Sequence, residues 1–131
     1  MGRFLVVDDD HFTVHAMATL LRQDGHDVVA MTSGKEAVDA LHGGREFDAV
    51  VTDFQMPGVD GSCVARQARR CLPGACVVVT ERGHADEGDL HAAGACAVLE
   101  KPIQYDALQR VIKECRANGG RGGLSCLRHR R

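Results

Sequence analysis

The chain has 131 residues, 44% of them hydrophobic and 26% charged, which suits one domain able to bury a core unaided and excludes disorder, collagen-like repeats and a second large domain. The net charge of -2 hides an asymmetry: residues 1–115 hold 11 Lys or Arg against 18 acids, while residues 116–131 hold five Arg and no acid. An acidic body repels nucleic-acid phosphates, so direct nucleic acid binding is not expected of it.

Phe4 to Val7 is an apolar run that stops at Asp8-Asp9-Asp10, the pattern of a strand buried on both faces with its carboxyl end in water. His11 to Arg22 then places Val14, Met17, Ala18 and Leu21 at helical spacing, and Asp24-Gly25 ends that helix. Val28 to Met31 reads as a second strand. Ser33 and Glu36 form a capping-box signature for a helix through Leu41, which Gly43-Gly44 closes. Asp48 to Thr52 is a third strand ending at Asp53; a loop with Met56-Pro57-Gly58 leads to a helix from Gly61 to Cys71, and Pro73-Gly74 turns the chain. Ala75 to Thr80 is a β-branched fourth strand, Ala85 to Ala93 a weak, Gly-interrupted helix, and Cys96 to Leu99 a short fifth strand. After Lys101-Pro102 comes a last helix with an apolar stripe of Tyr105, Leu108, Val111, Ile112 and Cys115, stopped by Asn118-Gly119-Gly120.

No apolar run approaches the roughly 18 to 20 residues needed to cross a bilayer, and Met1-Gly2-Arg3 opens without a signal-peptide layout, so the expected location is cytoplasmic, with no membrane partner. The six cysteines show no C-x-x-C pair and sit mostly in apolar segments; they read as buried thiols without a zinc or redox role.

Strands alternating with helices imply right-handed crossovers and a parallel sheet covered on both faces. The expected fold is α/β: a flavodoxin-like three-layer sandwich, its five strands in the order 2-1-3-4-5, with five helices. The domain spans residues 1–117, and residues 118–131 form a basic, Gly-rich flexible tail or linker. Ligands of such folds lie beyond the carboxyl ends of the strands at the switch point, here between the first and third.

Asp8, Asp9, Asp10, Asp53, Thr80 and Lys101 all stand at or just past those strand ends. Two negative charges about 4 Å apart repel by roughly 4 kcal/mol at an effective dielectric near 20, so the cluster calls for a cation, and oxygen-only ligands favour Mg2+ (or Mn2+). Asp9 and Asp53 would ligate directly and Asp8 through water. Asp53 then serves as nucleophile toward a phosphoryl group, whose oxygens Thr80 and Lys101 would bind. Asp10 reads as the cap of the first helix and Asp60-Gly61 as the turn and cap of the third. The seven histidines show no ligand spacing and stay outside the site.

The segments Phe4-Leu-Val-Val-Asp-Asp-Asp10, Thr52-Asp-Phe-Gln-Met-Pro-Gly-Val-Asp-Gly61, Val79-Thr80 and Glu100-Lys-Pro102 resemble the response-regulator receiver family of two-component systems, over residues 3–116. The resemblance implies a phosphoacceptor switch rather than a turnover enzyme, at most phosphorylating and dephosphorylating itself. It implies a histidine kinase or phosphotransfer protein as donor to Asp53, the backbone carbonyl of Gln55 as a further metal ligand, and a cis peptide before Pro102. A protein target, and a phosphorylation-linked homodimer, are the outputs it allows.

The sequence departs from the family in two places. Val98 stands where an aromatic switch residue is usual, and Glu81 follows Thr80 where a small residue is usual, so Glu81 either shields the site or simply points to solvent. These departures leave open an atypical receiver that binds proteins with weak or no phosphorylation; a receiver fragment of a longer transcriptional regulator is the other alternative. A phosphatase resembling the haloacid-dehalogenase family, with Asp8 as nucleophile, lacks its late acidic pair. A dinucleotide-binding module lacks G-x-G-x-x-G after the first strand.

Overall fold

The computed structural model describes residues 2–83 and 85–119. Strands β1 (Arg3–Val7), β2 (Asp27–Met31), β3 (Ala49–Asp53), β4 (Cys76–Glu81) and β5 (Ala97–Glu100) alternate with helices α1 (His11–Gln23), α2 (Gly34–His42), α3 (Gly61–Cys71), α4 (Glu87–Ala92) and α5 (Tyr105–Ala117). All neighbouring strands are parallel, in the order β2-β1-β3-β4-β5, as the alternation of elements requires.

The sheet separates two cores. Because successive strand residues point to opposite faces, Phe4, Val6, Ala49, Val51, Cys76, Val78 and Leu99 pack on one side, with α1 and α5. Leu5, Val7, Val50, Val77, Val79 and Val98 pack on the other, with α2, α3 and α4. Leu5 and Val50 are fully buried, and each such side chain stabilises the fold by about 1.5–3 kcal/mol relative to exposure.

Four helices start on side-chain caps. Asp10 accepts from Phe12 N at 3.1 Å, Ser33 from Glu36 N at 3.3 Å, Asp60 from Ser62 N at 3.0 Å and Cys63 N at 3.1 Å, and Asp86 from Asp89 N at 3.1 Å. The Asp86 cap explains why α4 begins at Glu87, two residues later than the sequence pattern suggests. Strand ends differ from expectation by a residue: β5 runs from Ala97 to Glu100 because Cys96 already precedes the ladder pairing of Val78 with Ala97.

Two polar features escape the apolar pattern. Tyr105, read from sequence as part of the stripe of α5, donates its hydroxyl to Asp24 Oδ2 at 2.6 Å and binds α5 to the end of α1. Burial and the Asp24 carboxylate together push the Tyr105 phenol above its ordinary range. Arg69 of α3 donates to the carbonyls of Gly94, Pro73 and Ala75 at 2.8–3.3 Å, clasping the loops before β4 and β5.

The cysteines depart in part from the expectation of mostly buried thiols. Cys96 and Cys115 are joined as a disulfide and Cys76 is buried beside them, whereas Cys63 is half-buried and Cys71 exposed. The buried stripe of α3 (Gly61, Val64, Ala65, Ala68) ends before Cys71, which leaves that residue in solvent. Cys126 and most of the basic tail expected at 118–131 lie outside the described residues. Among the described residues no helix is long and apolar enough to cross a membrane.

Candidate functional site

The side-chain alternation that builds the α1/α5 core also builds the site. Phe4 and Val6 lead to Asp8, Ala49 and Val51 to Asp53, Cys76 and Val78 to Thr80, and Ala97 and Leu99 to Lys101. Each apolar series ends, at the carboxyl edge of the sheet, in one polar residue on the same face. The pairing of Asp53 with Thr80 in the β3–β4 ladder fixes the register of two of them.

Asp8 is 2% exposed and Asp53 6% exposed. Lys101 Nζ lies 2.8 Å from Asp8 Oδ2 and 3.3 Å from Asp53 Oδ1, and its own side chain is nearly enclosed. Asp8 Oδ1 also accepts from Asp10 N at 2.9 Å, which holds the carboxylate in place. The Lys101–Pro102 bond is cis, as the family resemblance implies, and Lys101 N donates to Glu81 O at 2.8 Å, continuing the β4–β5 ladder to the lysine itself.

Carboxylate oxygens of Asp8, Asp9 and Asp53 lie within 4.8 Å of one another. With all three ionised, three carboxylates against one ammonium leave an excess of two negative charges, and the donor set is oxygen only. That combination fits a hard divalent cation. Burial, followed by the neighbouring Asp8 charge, raises the Asp53 carboxyl above its ordinary value, with Lys101 acting the other way. Asp10 stands apart: exposed, it caps α1, and hydrogen bonds from Thr13 Oγ1 and Phe12 N hold its carboxyl below the ordinary value.

Asp8, Asp9, Asp53 and Lys101 are therefore brought together, and Thr80 stands beside Asp53 in the sheet, 1% exposed. Gln55 is exposed in the loop two residues beyond Asp53. Glu81 is where neither sequence alternative put it. One residue on from Thr80, it faces the opposite side of the sheet, is 1% exposed, and accepts through Oε1 from Gly83 N at 2.7 Å and Ala85 N at 3.1 Å. It neither shields the site nor points to solvent; it holds the β4–α4 loop. Val98 is fully buried in the α2/α3/α4 core, where it packs.

Gly61 has a role that its capping position only hinted at. Gly61 N donates to Phe54 O at 2.8 Å, and a Cβ at Gly61 would collide with the Asp53 carbonyl oxygen and approach Phe54 Cα to 2.7 Å. The start of α3 thus rests directly on the backbone that carries Asp53, an approach open only to glycine. The Asp-Gly pair opening a helix just after a strand-end aspartate was the available signal.

A family profile described as the response regulator receiver domain matches residues 4–113. A response regulator receiver protein of Anaeromyxobacter is 37% identical over 115 residues, covering 86% of this chain and 46% of that protein. Among solved structures, a CheY-like receiver domain protein from Methanospirillum hungatei superposes with a TM-score of 0.83 at 24% identity, covering 91% of this chain and 96% of that one. The receiver domain of the sensor histidine kinase PA1611 from Pseudomonas aeruginosa, solved with a magnesium ion coordinated in its active site cleft, superposes with a TM-score of 0.77 at 23% identity, covering 88% and 98%. The chain spans less than half the length of the curated relatives it matches, from 8% to 46%. Four strand ends deliver an acid pocket with a lysine across it, and the family profile runs through all four; the chain belongs to the response regulator receiver family.

Proposed function

We propose that the chain is a phosphoacceptor switch that takes a phosphoryl group onto Asp53 from a phosphohistidine of a histidine kinase or phosphotransfer protein. The observation that carries this reading is the position of Asp53: a buried carboxylate at the end of β3, 3.3 Å from Lys101 Nζ and within a three-carboxylate cluster. Asp8, Asp9 and Asp53, with the Gln55 carbonyl, would hold Mg2+ or Mn2+. When bound, the cation supplies charge neutralisation and a place for phosphoryl oxygens.

The residues of the chain do the rest. An Asp53 oxygen forms the new P–O bond as the P–N bond of the donor breaks, and the departing imidazole retains the bonding pair and takes up a proton. Lys101, already beside Asp53, gives its ammonium to one phosphoryl oxygen, and the Thr80 hydroxyl donates to another. A conformer that brings these two groups nearer binds the phosphorylated aspartate better, so phosphorylation shifts the population toward it and alters a surface offered to a protein target. Such a chain is a switch rather than a turnover enzyme, and cytoplasmic residence accords with a soluble donor site. The atypical receiver with weak phosphorylation is not favoured, because Glu81, one of its two grounds, is engaged by the amides of the β4–α4 loop rather than screening Asp53.

Intact-mass labelling with acetyl phosphate tests the proposal. The parent gains one phosphoryl mass only with Mg2+ present, and Asp53→Asn gains none. Labelling of folded Asp53→Asn equal to the parent would sink it.

A further inference from the structure

We propose that Cys96, Cys115 and Cys76 form a reversible thiol–disulfide site that governs how firmly α5 is fastened to the sheet. The three sulfurs lie at the pole opposite the acid cluster: Cys76 opens β4, Cys96 immediately precedes β5, and Cys115 sits in the last turn of α5. All are at most 1% exposed, and their sulfurs lie within 4.8 Å of one another. Cys96 and Cys115 are bonded, so the end of α5 is covalently attached to the entry of the edge strand. Cys76 Sγ stands 3.7 Å from Cys96 Sγ, in contact with the shared member of the pair.

Two pairings follow from that placement. In the first, a low-molecular-weight disulfide of the glutathione type oxidises Cys96 and Cys115. Two thiol protons and two electrons leave the protein, one S–S bond forms in it, and the small disulfide becomes two thiols. In the second, the Cys76 thiolate attacks Cys96 Sγ and a Cys76–Cys96 bond forms. The Cys96–Cys115 bond breaks, and Cys115 keeps the electron pair and takes the proton that Cys76 gave up. The first pairing ties helix to strand; the second ties strand to strand and releases the helix. Apolar burial keeps thiols protonated and slow, so both steps proceed through opening of the last turn of α5, where Cys115 is two residues from the helix end at Ala117.

The same three sulfurs could be read as a soft-metal site. Three thiolates around a monovalent or divalent ion would leave one or two net negative charges among Leu108, Val111, Ile112 and the apolar strand residues of that core, an expensive arrangement that the neutral disulfide avoids.

The test equilibrates the full chain in glutathione buffers from oxidising to reducing, denatures and alkylates it, and counts labels by intact mass with peptide mapping. Of six cysteines, four take label at the oxidising end, with Cys96 and Cys115 recovered as the linked pair, and six at the reducing end, with the change reversible. Reduction raises the unfolding equilibrium constant about a hundredfold, from loss of a closed loop of about 20 residues. Folded Cys115→Ser, mildly oxidised, yields a Cys76–Cys96 link; folded variant without that link overturns the exchange. Six labels in every buffer, a pair that persists in excess reduced glutathione, or pairing confined to Cys63, Cys71 or Cys126 overturns the site. So does stoichiometric zinc or copper(I) retained on gel filtration with three thiols protected from label.

Discussion

Glu81→Ala is the substitution whose outcome most sharply separates structure from sequence expectation. The Glu81 carboxylate is 1% exposed and one oxygen accepts from two backbone amides, Gly83 N at 2.7 Å and Ala85 N at 3.1 Å. Hydrogen bonds to a charged group contribute about 1.5–3 kcal/mol each when buried. Gly83 is exposed, so water recovers much of its amide, while Ala85 is half-buried and recovers less. We expect Glu81→Ala to lose about 2–3 kcal/mol of stability, and Glu81→Gln, which keeps an acceptor oxygen in place, about 1 kcal/mol. Urea unfolding with unchanged m-values reads both. A loss below about 0.5 kcal/mol for the alanine variant would refute the loop-clamp assignment, since that is the range of inert surface changes. The acetyl-phosphate labelling rate supplies a second arm: because Glu81 faces away from Asp53, Glu81→Gln labels within about threefold of the parent, and a gain above about tenfold would restore the idea of a charge screening the site.

Other perturbations probe the site and its supports. Lys101→Met leaves Asp8 and Asp53 buried without their ammonium, and breaking such a pair costs about 3 kcal/mol or more; part of that loss returns with Mg2+, and a cost under about 1 kcal/mol in metal-free buffer would contradict the geometry. Gly61→Ala forces α3 away from the Asp53 backbone, with an expected loss of about 2–3 kcal/mol in urea unfolding and slower labelling. His26 stacks on Phe4 with centroids 4.4 Å apart, and burial, aided by the Arg116 charge, holds its imidazole below the ordinary value. Its contribution is therefore complete above the unfolded value of about 6.5 and is lost as pH falls from there toward the lower folded value. Unfolding measured at about pH 7.5 and about pH 5.5 should show the parent losing more stability than His26→Gln; equal losses would remove His26 from the balance.

Much of this molecule is legible from sequence because one rule, side chains alternating across a strand, acts at every strand. The apolar runs before Asp8, Asp53 and Lys101 gave the strands, their order followed from right-handed crossovers, and the polar residues ending them gave the site. The same rule covers Glu81: adjacency to Thr80 in sequence suggests proximity to Asp53, whereas a period of two sends neighbours to opposite faces. The cysteine pairing was illegible for a different reason. Cys96 and Cys115 are 19 residues apart and meet only because α5 packs back over the sheet, a contact that no spacing motif encodes. Arg69 and Tyr105 belong to that class too, their partners being loop carbonyls and a side chain 81 residues away.

The two faces of the sheet consequently carry different duties. On the α1/α5 face, charge is concentrated at the carboxyl edge, where Lys101 is held between Asp8 and Asp53, and sulfur is gathered at the amino edge. On the α2/α3/α4 face, Glu81 and Arg69 fasten the loops flanking β4 through backbone amides and carbonyls. β4 lies between these systems, with Thr80 and Glu81 adjacent in sequence yet on opposite sides. In the proposed switch, a displacement of Thr80 toward a phosphorylated Asp53 would have to be accommodated by the loop that Glu81 grips, so weakening that grip with Glu81→Gln would change the energy difference between the two conformers. Glu81 would then act on the proposed equilibrium from the far side of β4, through the Gly83 and Ala85 amides and without touching the phosphoryl group.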